Sequence, residues 1–176
     1  MKSLFKGLLK GLLKGLSIVV VAAVAVVFAM RFADGPWGMV PGGAFSQAPQ
    51  STPVSWAFVK DLDTVEFQLL DPVSSRTSWI AEHDNRIYIP SGYMNSGIGK
   101  LWKQWPMRAE KNGAGLLRID DTVYAVQLVR TKDPDSLVPV LRELARKYMP
   151  SQPPIEAMLE EVASNNLWVF ELTPRP

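Results

Sequence analysis

The side chains that most often carry catalysis or bind metals are few in this sequence. Of its 176 residues, one is histidine, His83, and none is cysteine. This composition excludes disulfides, thiolate metal sites, a cysteine nucleophile and the usual multi-histidine metal centres. His83 precedes Asp84 in a predicted turn, which favours a structural or solvated histidine. We therefore assign neither a catalytic residue nor a metal ligand.

The carboxylates and short motifs also contain no recognisable catalytic set. Two acidic pairs, Asp61 with Asp63 and Asp120 with Asp121, lie in predicted turns, where aspartate is favoured for its local hydrogen bonds. The sequence has no Walker loop, glycine-rich nucleotide fingerprint, nucleophile elbow or zinc motif. Hydrolases and nucleotide-dependent enzymes are disfavoured, and the residues alone leave open whether the protein is an enzyme.

One segment combines basic and aromatic residues densely. We predict a short helix over residues 100–104, with Pro106 limiting its extension. Tryptophans three residues apart then lie on one helical face. That face either enters the core or meets a membrane interface, where tryptophan and lysine are both common. The residues concerned are Lys100, Trp102, Lys103 and Trp105.

The elements that position these side chains are predicted to be mainly strands. In residues 64–70, apolar Val65, Phe67 and Leu69 alternate with polar residues, a pattern typical of a half-buried strand. Asp84-Asn85 predicts a hairpin turn. The predicted strands cover 54–60, 64–70, 76–82, 86–90, 116–119, 122–131 and 167–172.

Two helices are predicted late in the domain. Asp135 or Ser136 caps the first, which continues to Tyr148, and the second covers 155–163. This order of elements predicts an α+β fold: a small barrel or sandwich with peripheral helices.

Four stretches together have the arrangement of a known superfamily. They are 75–79 (Ser-Arg-Thr-Ser-Trp), 85–89 (Asn-Arg-Ile-Tyr-Ile), 100–106 (Lys-Leu-Trp-Lys-Gln-Trp-Pro) and 168–174 (Trp-Val-Phe-Glu-Leu-Thr-Pro). Over about residues 54–174 the chain resembles the split β-barrel of the pyridoxamine-phosphate-oxidase-like and deazaflavin-dependent reductase proteins. The resemblance implies a flavin or deazaflavin cofactor in a groove, commonly shared by two subunits, and therefore a homodimer.

The resemblance also implies a set of cofactor-binding residues. Arg76, Thr77 and Ser78 would contact the cofactor phosphate. Lys100 and Lys103 would supply further positive charge. The aromatic ring of the cofactor would stack on Trp79, Trp102 or Tyr93.

Two of these residues have simpler explanations. In the simpler explanation of Trp79, this residue lies in a predicted strand and belongs to the core. In the simpler explanation of Arg76, its side chain pairs with Asp71 or Glu82 on the surface.

The N-terminal segment is predicted to be a membrane anchor. Residues 15–30 carry no charge, and Lys14 and Arg31 can extend this stretch to spanning length by reaching outwards. Four lysines before it and one arginine after it predict a single pass at 15–32, with the N-terminus inside and the domain outside the cytoplasmic membrane. The alternative is a signal peptide cleaved after Val27-Phe28-Ala29.

The regions on either side of the anchor differ in composition. Residues 1–14 repeat Lys-Gly-Leu-Leu, which predicts a basic amphipathic helix for an anionic leaflet or simply topology-setting lysines. Residues 33–53 are rich in Gly, Pro, Ser and Gln, but Trp37, Met39 and Phe45 do not suit a plain linker. We predict an extended arm lying on the domain or the membrane, followed by the barrel domain at 54–176.

Charge excludes one class of partner and leaves two hypotheses. Five basic residues precede Asp34, the first acidic residue, and the remaining 14 basic and 17 acidic residues leave the rest of the chain negative. A nucleic-acid-binding surface is therefore not expected. The protein is predicted to be either a membrane-anchored cofactor-binding barrel or a non-catalytic accessory or partner-binding subunit of a membrane complex.

Overall fold

The computed structural model describes residues 2–53, 55–97 and 103–175. The strands are β1 (Thr64–Leu70), β2 (Val73–Trp79), β3 (Ala81–His83), β4 (Arg86–Ser91), β5 (Ala114–Ile119), β6 (Thr122–Thr131) and β7 (Trp168–Pro174). The α-helices are α1 (Lys2–Ala29), α2 (Trp105–Lys111), α3 (Pro134–Tyr148) and α4 (Ile155–Ala163). Short 3-10 helices lie at Met30–Phe32 and Ala57–Asp61.

The strands form one curled antiparallel sheet. Its order is β2-β1-β5-β6-β7-β4-β3, so β2 and β3 lie at opposite edges. Ile80 alone separates β2 from β3 in the chain, and this short connection requires the two edges to approach each other. The sheet therefore curls until β2 contacts β4. The predicted α+β architecture, a curled β-sheet with peripheral helices, is confirmed.

The predicted hairpin turns are present. Asp84 and Asn85 join β3 to β4 with φ values of 52° and 60°. A two-residue turn with both φ values positive matches the twist of the flanking strands, and aspartate and asparagine tolerate this conformation better than most residues. Asp120 and Asp121 form the two-residue connection from β5 to β6, in which Asp120 has a positive φ of 50° and Asp121 does not.

The inner face of the sheet holds the main hydrophobic core. Phe67 of β1 and Phe170 of β7 are buried on this face, and Trp105 of α2 lies between them. The ring of Trp105 is 4.7 Å from that of Phe67 and 5.2 Å from that of Phe170, measured between centroids. Such offset and edge-to-face contacts add to the stability gained by burial alone.

The outer face is covered by two different structures. Helices α3 and α4 pack over β3, β4 and β7, and bury Leu137, Leu141 and Tyr88. The arm packs over β1, β5 and β6, where Phe45 contacts Leu116 and Val123.

Helix α1 and the following 3-10 turn form the apolar N-terminal segment. Within Lys10–Phe32, an 18-residue stretch has a mean hydropathy of 2.6, and none of that stretch is buried in the protein. This segment is long and apolar enough to cross a membrane, as an anchor or a signal sequence.

One predicted element was wrong, and another lies mostly outside the described residues. The strand predicted at 54–60 is a 3-10 helix, Ala57–Asp61, and residue 54 lies outside the described residues. Trp56 and Val59 are its buried residues, and their spacing of three suits a helical turn rather than a strand. Of the helix predicted at 100–104, Lys103 and Gln104 are the described residues, and neither is helical. A helix begins at Trp105, with Pro106 in its first turn, where the missing N–H costs no hydrogen bond. Residues 100–102 lie outside the described residues.

Two predicted boundaries also move. The strand predicted at 76–82 is broken at Ile80, whose backbone is held by Tyr148 and Lys147 of α3. The cap of α3 is Asp133, which accepts hydrogen bonds from the backbone N and the hydroxyl of Ser136, with Pro134 as the first helical residue. The first position of a helix favours proline, so α3 starts at Pro134, earlier than predicted.

Candidate functional site

The predicted phosphate-binding stretch lies on β2, and its residues point to opposite faces. Arg76 pairs in register with Phe67 and Ser78 with Val65, and both partners are inner-face core residues. Thr77, between them, must point outwards because side chains alternate along a strand. Trp79 points outwards for the same reason. The four predicted residues therefore divide into an inner pair and an outer pair.

Arg76 is the most unusual of the inner residues. Its Nε is buried and has no hydrogen-bond partner, and no ion pair joins its guanidinium to any described residue. Burial lowers the pKa of Arg76 below its usual range, and the positive charge of Arg108 lowers it further. The expected surface pair with Glu82 is absent in the described chain, where Glu82 instead faces Lys60 at 3.2 Å.

Arg108 is a site residue that the sequence analysis missed. It lies on α2, three residues after Trp105, and is near enough to Arg76 for its charge to lower the pKa of Arg76. The two positive charges together create a local positive field. The signal that could have found it was Pro106 as a helix start, since residues 105–111 then read as one helix bearing Arg108.

Thr77 and Trp79 occupy a different chemical setting. Thr77 lines an outer cleft of about 460 Å³ whose charged lining includes one arginine, Arg118, and four acidic residues. The acidic residues are Asp34, Glu66, Asp120 and Asp121. Such a lining disfavours a phosphate at Thr77.

Trp79 is not the core residue proposed as one alternative. It is 48% exposed and stacks on Tyr148 of α3, with ring centroids 4.7 Å apart. The stacking fixes the C-terminal end of α3 against the edge of the sheet.

Lys103 and Tyr93 form a second local contact at the end of β4, the strand that contacts β2. Lys103 Nζ donates to the carbonyl of Gly92 at 2.9 Å and lies 5.5 Å from the ring centroid of Tyr93. Burial lowers the pKa of Lys103. Tyr93 is 72% exposed and adopts a positive φ of 60°, which holds its ring away from the core.

The remaining predicted residues have different outcomes. Lys100 and Trp102 lie outside the described residues. Trp105, the other tryptophan of that segment, is 7% exposed and belongs to the core. Across the described chain, no group of three or more metal-ligating side chains is placed to hold an ion.

The three-dimensional comparison identifies the architecture. Over 74% of this chain and 87% of the other, the structure matches the conserved hypothetical protein Rv2991 from Mycobacterium tuberculosis, with 15% identity and a TM-score of 0.50. The domain is a split β-barrel. A "Putative Pyridoxamine 5'-phosphate oxidase" from Listeria innocua matches the barrel over 68% of this chain and 90% of its own, with 10% identity and a TM-score of 0.45.

The split barrel that the resemblance implied is confirmed by the structural comparison. Neither a protein-family model nor a curated protein matches this chain. At 15% identity the agreement with a solved split barrel concerns the fold, and the function must be argued from the side chains.

Proposed function

We propose that this protein is a membrane-anchored split barrel that binds a phosphate-bearing planar cofactor of the flavin or deazaflavin class beside Arg76 and Arg108. One observation carries the proposal: the buried Nε of Arg76 has no hydrogen-bond partner among the described residues, and Arg108 adds a second positive charge nearby. The cofactor would supply electron or hydride transfer when bound, and the protein would supply its binding and orientation.

The energetics favour an anionic ligand. Arg76 is half-buried, and a guanidinium N–H that is buried without an acceptor is costly, with a like charge nearby adding to the cost. A phosphate removes both penalties because it accepts paired hydrogen bonds from arginine in the geometry of the guanidinium fork. Ser78, on the same face of β2 as Arg76, supplies a hydroxyl for the same group.

The aromatic part of the ligand requires a second contact. Tyr93 offers an exposed ring next to the ammonium of Lys103, and both follow the strand that contacts β2. Lys100 and Trp102 remain part of the proposed site by their place in the chain. Thr77 and Trp79 are left out, because they point to the opposite face of β2.

The first experiment is a direct search for the cofactor. The full chain is purified in detergent from a host that makes flavins and deazaflavins, and its visible spectrum and the mass of any released compound are measured. A stoichiometric chromophore supports the proposal. A colourless folded protein that also fails to bind added flavin nucleotides contradicts it and favours the accessory-subunit hypothesis.

Substitutions then test the residues. We expect Arg76→Gln and Arg108→Gln each to weaken binding of a flavin nucleotide about tenfold, since a hydrogen bond to a charged group contributes roughly 1.5–3 kcal/mol. Arg142→Gln, on the exposed side of α3, is the matched control and should leave affinity unchanged. Titration followed by fluorescence quenching of the flavin measures all three. Equal affinities for the three variants would place the cofactor elsewhere.

A further inference from the structure

The segment after the apolar helix is a closed loop rather than a flexible linker. In residues 33–43, Gly43 N donates to the carbonyl of Ala33 at 3.1 Å and brings the loop back to the end of the helix. Gly42 pairs with Ser75 of β2 through two hydrogen bonds of 3.1 Å. The 33–43 loop is therefore fixed both to the helix end and to the edge of the barrel.

Close backbone contacts make this closure specific to glycine. A side chain at Gly42 would meet the carbonyl oxygen of Gly35 at 1.7 Å, and one at Gly43 would meet the carbonyl oxygen of Arg31 at 2.3 Å. Neither backbone oxygen can move without opening the loop. Glycines at these positions hold the two ends of the loop together.

The tip of the loop presents apolar side chains to solvent. Trp37 and Val40 exchange backbone hydrogen bonds of 3.1 and 2.9 Å around Gly38, which has a φ of 55°. The turn projects Trp37 and Met39 outwards, 69% and 87% exposed. Phe32, at the end of the apolar helix, is 80% exposed and contacts Phe28 edge-on.

Charge is absent where the loop is exposed and neutralised where it begins. Every residue from 35 to 59 is uncharged. Asp34, at the start of the loop, lies 2.8 Å from Arg118 and also accepts hydrogen bonds from Ser46. The tip can therefore enter a lipid headgroup region without removing an unpaired charge from water.

We propose that Trp37 and Met39 insert into the lipid interface next to the anchor helix and hold the split barrel against the bilayer. The inference rests on the proposed membrane anchoring. Tryptophan concentrates at membrane interfaces, where its apolar ring and polar N–H are both satisfied. Two side chains are also too small a surface for stable protein docking, which usually buries roughly 1,200–2,000 Å².

Because the chain has no cysteine, single labels can report the depth of chosen positions. Met39→Cys, Val24→Cys and Ser151→Cys are each labelled with an environment-sensitive fluorophore in the full chain. Val24 lies in the apolar helix, and Ser151 is an exposed control in the α3–α4 connection. The proteins are reconstituted into vesicles of phosphatidylethanolamine and phosphatidylglycerol, with or without nitroxide-labelled lipid, and aqueous iodide is added as the opposing quencher.

We expect nitroxide lipid to quench the labels at positions 24 and 39 several-fold more than the label at 151, and iodide to show the reverse order. Adding Trp37→Ser should reduce lipid quenching at position 39. If nitroxide lipid quenches the label at position 24 but the label at position 39 behaves like the label at position 151, the inference is overturned and the anchor remains supported. Protection at 39 from both quenchers would mean a protein contact and would also overturn it. No lipid quenching at 24 would refute the anchoring itself.

Discussion

At the residue scale, two residues that are adjacent in sequence, Arg76 and Thr77, lie in different chemical environments. Arg76 and Thr77 are both polar and adjacent, and the resemblance to cofactor-binding barrels groups them in one phosphate site. The pleat separates them: Arg76 lies over the core beside Arg108, and Thr77 lines an acidic cleft. The inner face of β2 therefore keeps Arg76 without Thr77, and it faces Arg108 of α2, a helix that the sequence analysis did not predict.

The same argument predicts a trade-off between binding and stability. Arg76→Leu removes a half-buried guanidinium whose Nε has no partner among the described residues and which lies near a like charge. We therefore expect the ligand-free protein to gain about 1 kcal/mol of unfolding free energy while it loses affinity for a flavin nucleotide. Denaturant unfolding of the detergent-solubilised full chain measures the change.

The control for this prediction is the same substitution at an exposed arginine. Arg142→Leu should change the free energy of unfolding by no more than about 0.5 kcal/mol. A clear loss of stability for Arg76→Leu would show that the guanidinium is satisfied within the protein and does not await an anion.

At the element scale, the arm acts as a structural layer of the barrel. Phe45 is 8% exposed, and its backbone N donates to the buried Gln68 side chain at 2.6 Å. The Arg118 guanidinium lies 4.2 Å from the Phe45 ring centroid and also pairs with Asp34 and Glu66. One arginine of β5 thus connects the start of the arm, its buried phenylalanine and the neighbouring strand.

We therefore expect Phe45→Ala to lower the free energy of unfolding by about 3 kcal/mol, because a buried aromatic ring leaves a cavity that the arm cannot close. Limited proteolysis should also cut residues 33–53 faster in this variant. Thr52→Ala, at an exposed position of the same segment, is the control and should change neither quantity appreciably. Equal protease sensitivity in the two variants would argue against a docked arm.

At the scale of the whole molecule, the chain is a barrel whose outer face is divided between helices and an arm, with an apolar helix leading into that arm. The helix ends at the 3-10 turn Met30–Phe32, directly before the 33–43 loop closes on the barrel. With so short a connection, an inserted helix would keep the domain near the membrane surface.

The orientation of this arrangement can be measured directly. Four lysines before the apolar stretch favour an inside N-terminus. Two reporters, each fused after residue 176, test this orientation. We expect a reporter that works only outside the cytoplasmic membrane to be active, and a reporter that requires the cytoplasm to be inactive. Adding lysines directly after Arg31 should weaken this preference. A reporter active only in the cytoplasm would reverse the proposed topology.

The sequence by itself determined the local elements, because each depends on residues close together in the chain. Period-two alternation located β1, turn-forming pairs located the β3–β4 and β5–β6 hairpins, and helical spacing located α3 and α4. The order of these elements resembled that of a known superfamily and predicted the split barrel. An uncharged run of residues located the apolar helix.

Only the tertiary structure decided which of these residues meet. The break at Ile80 depends on Tyr148 and Lys147, which lie 67 or more residues away in the chain. The isolation of Arg76 depends on what the curled sheet and α2 place around it, and the burial of Phe45 depends on the arm returning to β5. Such contacts are long-range consequences of packing, and local patterns carry no information about them because the strand pleat and the sheet curl decide which faces meet.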